Sequence, residues 1–497
     1  MEGNSGRTSL VRAVMNRKSL NKVYGWNATG CNAGRLRFQP EGGRRVEGAF
    51  DAGRVSSDGG LVMLRELTGR SGVFRQFAAC FTDNRDPSRI EHTVEELLAQ
   101  RVLGIICGYE DLNDHERLRD DALLALAVGK ADVTGEHRKR ERDRGHALAG
   151  KSTLNRLELA APIVDGAERY KKISYDDLGI ERLFVTWFLD AHEKPFKEII
   201  IDLDATDDPV HGAQEGRHFH GFYGHYCYMP LYAFCGEFLL GATLNTADVA
   251  PGKKAVEELE RIISQVLARW PDTRIIVRGD SGFCNDEVMR WCEESGVDYV
   301  LGLAQNSRLR AEIVDEMTAA KAEHARTDKE ARVFKDFRYK TRDSWSCERR
   351  VVGKAEYITD KENPRFVVTT LCATKWPARA LYEDLYCARG EMENRIKEQQ
   401  LGLFADRTST HTLRGNQLRL WLSSIAYVIL HDLRRLALVG TELARAQVST
   451  IRCRLLKIGA VVTVSVRRVY VSLSSVFPLQ EVFARILENI RLNLPIA

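Results

Sequence analysis

The chain has 497 residues, 44% of them hydrophobic and 29% charged, with a formal net charge of +4. This composition excludes wholesale disorder and collagen-like or low-complexity character, and the length suits about three structural units. No stretch reaches the roughly 18 apolar residues that span a bilayer, and the start of the chain has no apolar secretory core.

The 11 cysteines are scattered, without the close pairs of zinc sites. The expectation is a cytoplasmic protein with reduced thiols and no membrane partner. Lys and Arg are in excess in the first 50 residues and again over 411–497, while the middle is close to balanced. Basic ends around a neutral or acidic middle suit a protein that holds a polyanion and acts on it.

Residues 1–45 are Gly-, Arg- and Asn-rich without periodicity and read as a loose basic segment. Over 46–190 the pattern is helical: Val94, Leu97, Leu98, Val102, Leu103 and Ile106 fall on one helix face. A charged loop at 137–145 and a short helix through LNRLELAAPIV (154–164) follow, giving an N-terminal helical domain.

The period changes at residue 198. EIIIDLDAT (198–206) is a β-branched run ending in carboxylates. Two further strands are expected at 226–235 and 238–246, joined by a Gly236-Glu237 hairpin loop. An amphipathic helix over 253–270 is stopped by Pro271. TRIIVR (273–278) reads as a buried strand, 286–295 as a helix ended by Gly296, and DYVLGLA (298–304) as another strand.

Three strands followed by helix, strand, helix, strand is the chain order of an RNase H-like sheet. The fold expectation is therefore α/β: an RNase H-like mixed sheet catalytic core begins at 191–305. A β-rich insertion at 306–375 and a core helix within 376–410 follow, then a basic, mostly helical C-terminal region at 411–497.

In that topology the first and fourth strands are neighbours. Asp202 and Asp204, two apart at the end of the first, face one side of the sheet, and Asp280 directly follows the fourth. On the late helix, Tyr386, Arg389, Glu393 and Lys397 share a face. Glu391 and Glu393 lie about 200° apart, so only one of them can face the sheet. Taken alone, that face also fits a surface ladder of ion pairs.

Converging carboxylates repel one another without a cation, and hard oxygen donors suit Mg²⁺ or Mn²⁺ rather than Zn²⁺. Two such ions about 4 Å apart would activate a water or a DNA 3′-hydroxyl and stabilise the leaving oxygen of an in-line displacement.

DLDATDDPVHGAQEG (202–216), IIVRGDSGF (275–283) and YCARGEMENRIKEQQ (386–400) resemble segments of the bacterial insertion-sequence transposases of the DDE, RNase H-like superfamily. The cut-and-paste members with a β-rich insertion are the ones it resembles. The third segment is similar to the family signature of Tyr, two residues, Arg, three residues, Glu, which maps Tyr386, Arg389 and Glu393. Where the wider signature has a Lys, this chain has Gln400; Lys397, one turn earlier, is the candidate for that phosphate contact. The family's Asp-x-Thr favours Asp204, followed by Thr206, with Asp202 as the alternative.

The resemblance runs from about residue 46. It implies that Asp204, Asp280 and Glu393 are catalytic and ligate two Mg²⁺ (or Mn²⁺) ions, and that Tyr386, Arg389 and Lys397 contact DNA. It implies double-stranded DNA as partner, both terminal inverted repeats and target, and a homodimer on paired ends. The alternative reading is a catalytically decayed DNA-binding regulator of the same element.

Other signals compete. GHALAGKS (145–152) matches the P-loop pattern and raises a DNA-directed ATPase as a third reading, but HRKRERDR before it cannot be the buried strand that a P-loop needs. His211, His218, His220 and His225 read as loop or DNA-proximal histidines, with Gln214 and Glu215 beside them. Trp345, in the polar turn RDSWSC, either stacks on a flipped base or packs in the insertion. Arg467, Arg468 and the cations of 452–457 read as phosphate contacts.

Overall fold

The computed structural model describes residues 35–160, 172–359 and 361–494. The expectations for 1–34 and for 161–164 lie outside the described residues. Within the supposedly loose segment, Leu36–Glu41 and Arg44–Gly48 pair as an antiparallel hairpin. Its turn, Gly42-Gly43, takes positive φ at both glycines, +55° and +77°, a conformation that Gly-Gly adopts at little cost. The expectation of a loose segment is corrected there, because composition alone hid a turn signal.

The main sheet is built from β1 (Glu198–Ala205), β2 (His225–Cys235), β3 (Phe238–Thr246), β4 (Arg274–Gly279) and β5 (Asp298–Leu303). It continues with β6 (Ala331–Tyr339), β7 (Arg349–Ile358) and β8 (Arg365–Thr369). Their spatial order is β3-β2-β1-β4-β5-β8-β7-β6. The first five strands thus stand in the order expected from the sequence. β1, β4 and β5 run parallel; β2 and β3 are antiparallel to their neighbours. β4 is buried along nearly its whole length, as a central strand covered on both faces must be. Gly236, in the tight loop between β2 and β3, takes φ +58°.

The β-rich stretch at 306–375 opens with two helices, Ser307–Glu312 and Val314–Thr327. Its strands then extend the same sheet, because β8 pairs antiparallel with the free edge of β5. Pairing there covers backbone groups that an edge strand would leave open.

One face of the sheet is covered by helix α1 (Pro251–Arg269), whose Leu259, Ile262, Ile263 and Val266 are buried in the same core as Val277 and Ile201. On the other face, Tyr228, Tyr232 and Phe234 share a core with the N-terminal helices and with helix α2 (Leu413–Asp432). The two ends of the chain interlock in this layer. Arg54–Ser56 pairs with Ala460–Ser465, which pairs with Arg468–Leu473. Glu158, fully buried, receives Arg101 and Arg419 at 2.8 Å each, tying the N-terminal helices to α2.

Arg452 belongs to the same framework. Its guanidinium donates to the carbonyls of Ile106 at 2.8 Å and Ile105 at 3.2 Å, and to that of Gly402. Lys457 pairs with Asp58 at 2.7 Å. The Arg452 donors are taken up by these carbonyls, which corrects its reading as a phosphate contact, whereas Lys457 is exposed at the surface beside its partner. Arg467 and Arg468, at the turn between the last two strands, are exposed and remain available to a polyanion.

Candidate active site

β1 and β4 pair in register, with Asp202 opposite Arg278 and Leu203 opposite Gly279. Asp204 and Asp280 therefore leave two adjacent parallel strands at the same end. Asp202, although on the same face as Asp204, is engaged: Arg278 donates to it twice, at 2.5 and 2.8 Å, and both residues are buried. Arg278 also donates to the carbonyl of Leu385, fastening the late helical segment to the sheet. Asp280 accepts from the backbone of Gly282 at 2.8 Å.

That late segment, 378–402, is helical throughout but not one regular helix. Leu381–Tyr386 and Glu398–Gly402 are π-helical, Cys387–Arg389 is a 3₁₀ turn, and only Gly390–Lys397 is a longer α-helical piece. Insertions of this kind shift the phase of the side chains, and π turns recur at functional sites. Here they point Tyr386 and Arg389 at the sheet. Arg389 lies 3.3 Å from Asp204 on β1 and donates to Glu393, one turn further on, at 3.0 Å. Glu391 faces away, with its side chain 76% exposed, and pairs with Arg395.

Lys397 is exposed and has no ion pair among the described residues. Gln400 faces inward, where its amide donates to Asp208 at 3.0 Å and to the Asp207 carbonyl at 3.3 Å. The residue that departs from the family pattern thus braces the loop after β1.

Two further residues shape the site without having been singled out in the sequence. A Cβ at Gly302 on β5 would lie 2.5 Å from the Tyr386 hydroxyl and 3.1 Å from the backbone nitrogen of Ser281. Only glycine lets Tyr386 pass so close. Tyr223, in the loop before β2, has its phenol pushed up by burial and by the nearby charges of Asp207, Asp204 and Asp280.

Burial is the largest effect on Asp204, and Asp280 and Glu393 add repulsion; against the opposing pull of Arg389 its carboxyl is raised to about 6. The same carboxylates raise Arg389 further, against the opposing effect of its own burial. This is a set of hard oxygen donors short of positive charge, with a guanidinium partly filling the deficit. Among the described residues, no three His, Cys, Asp or Glu side chains are gathered closely enough to grip a metal as they stand. Glu393, with its side chain 46% exposed, is paired with Arg389. The donor chemistry and the uncompensated repulsion fit a divalent cation.

A family model described as Transposase DDE domain group 1 matches residues 38–494. The chain belongs to the DDE transposases. No curated protein matches it. Among the described residues of this transposase, no helix is long and apolar enough to cross a membrane.

The remaining sequence signals resolve as follows. Trp345 is 5% exposed, packs edge-on against Tyr339 at 5.7 Å and lies under Arg349; it is a core residue, and the base-stacking alternative is set aside. GHALAGKS has no strand before it, and the backbone amide of Lys151 donates to Glu116 at 2.8 Å, so the P-loop reading lacks its framework. Gln214 and Glu215 hold the start of α2, accepting from the Asn416 side-chain amide at 3.0 Å and from the Leu413 backbone amide at 3.1 Å. His218 pairs with Asp248 and His225 with Asp207, rather than with a zinc site.

Proposed function

We propose that this transposase moves a bacterial insertion sequence by cut-and-paste, acting in the cytoplasm on the DNA there. The N-terminal helical part binds the terminal inverted repeats. The sheet, read as an RNase H-like core, cleaves the ends by phosphodiester hydrolysis and joins the freed 3′-hydroxyls to target DNA. Two copies work on the paired ends, since both ends must reach one target.

The observation that supports this reading is that Asp204, Asp280 and Glu393 are within electrostatic reach of one another. The first two leave adjacent parallel strands at one level, and both Asp280 and Glu393 raise the Asp204 carboxyl. Asp204 rather than Asp202 is favoured as the first ligand, because Arg278 already occupies both oxygens of Asp202. Asp204, Asp280 and Glu393 would hold two Mg²⁺ (or Mn²⁺) ions, which supply Lewis acidity for nucleophile and leaving group. Tyr386 and Arg389 orient the phosphate from the helical side, and Lys397, exposed, adds a phosphate contact at the rim.

The test is a cleavage assay on DNA carrying the sequences that flank the protein's own gene, with Mg²⁺ or EDTA, beside Asp280→Ala. Metal-dependent cuts at the element ends, lost in the variant, are expected. Binding without cutting under any metal would instead favour a decayed regulator.

A further inference from the structure

The segment HFHGFYGH (218–225) forms a small antiparallel hairpin at the start of β2. His218–His220 pairs with His225, Tyr226 and Cys227, and the turn Gly221–Gly224 is closed by the Gly224 amide donating to the His220 carbonyl at 2.8 Å. Its side chains are unusual for a solvent-facing turn. Phe222 is 86% exposed, Phe219 59% and Tyr226 46%. Exposed aromatics gathered on one turn mark a binding surface more often than chance.

Three observations say what this surface meets. The hairpin is anchored beside the carboxylates: His225 pairs at 2.8 Å with Asp207, three residues after Asp204, and Tyr223 lies within the electrostatic reach of Asp204 and Asp280. Its rings pair edge-on, Phe222 against Tyr223 at 5.0 Å and Phe219 against Tyr226 at 5.6 Å, and Tyr223 also meets the His220 ring at 4.9 Å, so the aromatics of the turn support one another. One cation sits on the flank, Arg217, 4.9 Å over the Tyr226 ring, while Asp248 and Asp207 pair with the end histidines His218 and His225. Aromatic faces backed by a stacked guanidinium match the chemistry of nucleic-acid bases next to phosphates.

We propose that this aromatic hairpin, tipped by Phe222, inserts into DNA next to the scissile phosphate and holds an unstacked base. Apolar wedges at a base step unstack it at a cost of a few kcal/mol, and stacking on the inserted rings offsets that cost. Trp345, being buried, cannot serve this purpose. The inference rests on the DNA-cleaving reading above.

The experiment uses the full chain in EDTA, where it binds without cutting, on duplexes tiling the DNA that flanks its gene. Each duplex carries 2-aminopurine at successive positions. A fluorescence rise confined to positions beside the cut is expected for the wild type. Phe222→Ala should abolish it and Phe222→Trp should restore it, with the salt slope of binding unchanged because the phosphate contacts remain. Cleavage by Phe222→Ala in Mg²⁺ should fall about ten-fold and recover when the flanking base is left unpaired. An unchanged rise in Phe222→Ala, with DNA bound and cut normally, overturns this inference alone. A change of oligomeric state in Phe222→Ala with an unchanged rise makes the hairpin a protein contact and overturns it as well. Failure of the wild type to bind any flanking duplex overturns the parent reading and this inference together.

Discussion

Arg389 stands between Asp204 and Glu393, 3.3 Å from the first and 3.0 Å from the second. The guanidinium is an internal counter-ion for carboxylates that otherwise repel, and in binding a cation Glu393 must exchange this partner. Arg389→Ala should therefore lower cleavage about 10- to 100-fold, the range for losing charged hydrogen bonds. Burial and the neighbouring carboxylates already raise the Asp204 carboxyl to about 6 against the pull of Arg389, so loss of Arg389 should raise it further. At limiting metal the acid limb of the rate profile should move to higher pH in the variant, because protonated Asp204 cannot ligate. A limb that stays put would show that Arg389 does not set the charge state of Asp204.

The raised carboxyl also has a stability cost. The folded value of about 6 exceeds the ordinary 3.8, so the fold prefers the protonated form. Stability falls as pH rises from the lower value to the higher and stays reduced above it. Asp204→Asn should stabilise the metal-free protein by about 1–3 kcal/mol at about pH 8 and by nothing at about pH 3. Urea unfolding at the two pH values checks this. Mn²⁺ should raise the melting temperature of the wild type more than that of the variant.

Gly302 is a packing requirement of the site. A methyl at its Cβ position falls 2.5 Å from the Tyr386 hydroxyl, and Ser281 backbone blocks escape. Gly302→Ala should displace Tyr386 and cut activity about 100-fold or more, the scale expected for a 1 Å misplacement. Melting temperature should change little if the ring can swing outward. Activity near wild type would remove Tyr386 from the positioning role.

Arginines of the basic C-terminal region should separate into two kinds. Arg452→Ala breaks bonds to three carbonyls and should cost about 2–3 kcal/mol of stability, with no change in the salt dependence of DNA binding. Arg468→Ala should leave stability alone and lower the salt slope by about 0.9. The reverse pattern would place the DNA on the opposite side of this layer.

Trp345→Ala should behave as a core truncation, costing about 3–5 kcal/mol. A fully stable variant with altered end processing would return the residue to a DNA-facing role.

The strands were legible because β1 to β3 follow one another as β-branched or apolar runs and β3, β4 and β5 then alternate with helices of a different apolar period, punctuated by Pro271 and Gly296. Strand geometry alone could not separate Asp202 from Asp204, since residues two apart on a strand share a face, and only the resemblance to Asp-x-Thr favoured Asp204. What distinguishes them is Arg278, set opposite Asp202 by the parallel register. Trp345 stayed open between packing and base stacking because its polar neighbours report local exposure and not the Tyr339 ring brought to it by the fold. Arg452 was hidden in the same way: its partners are carbonyls far away in the chain. The π turns around Tyr386 and the tight approach at Gly302 leave no mark in periodicity, because both arise from packing against β5 and β1.

The most direct test of the metal-ligand account is a change of metal preference. Asp204→Cys, Asp280→Cys and Glu393→Cys place a softer donor where each oxygen would bind. The account predicts that each variant loses DNA cleavage in Mg²⁺ and regains a measurable part of it in Mn²⁺, while Asp202→Cys is not rescued. Rescue of Asp202→Cys, or full Mg²⁺-dependent cleavage by any of the other three, would contradict it.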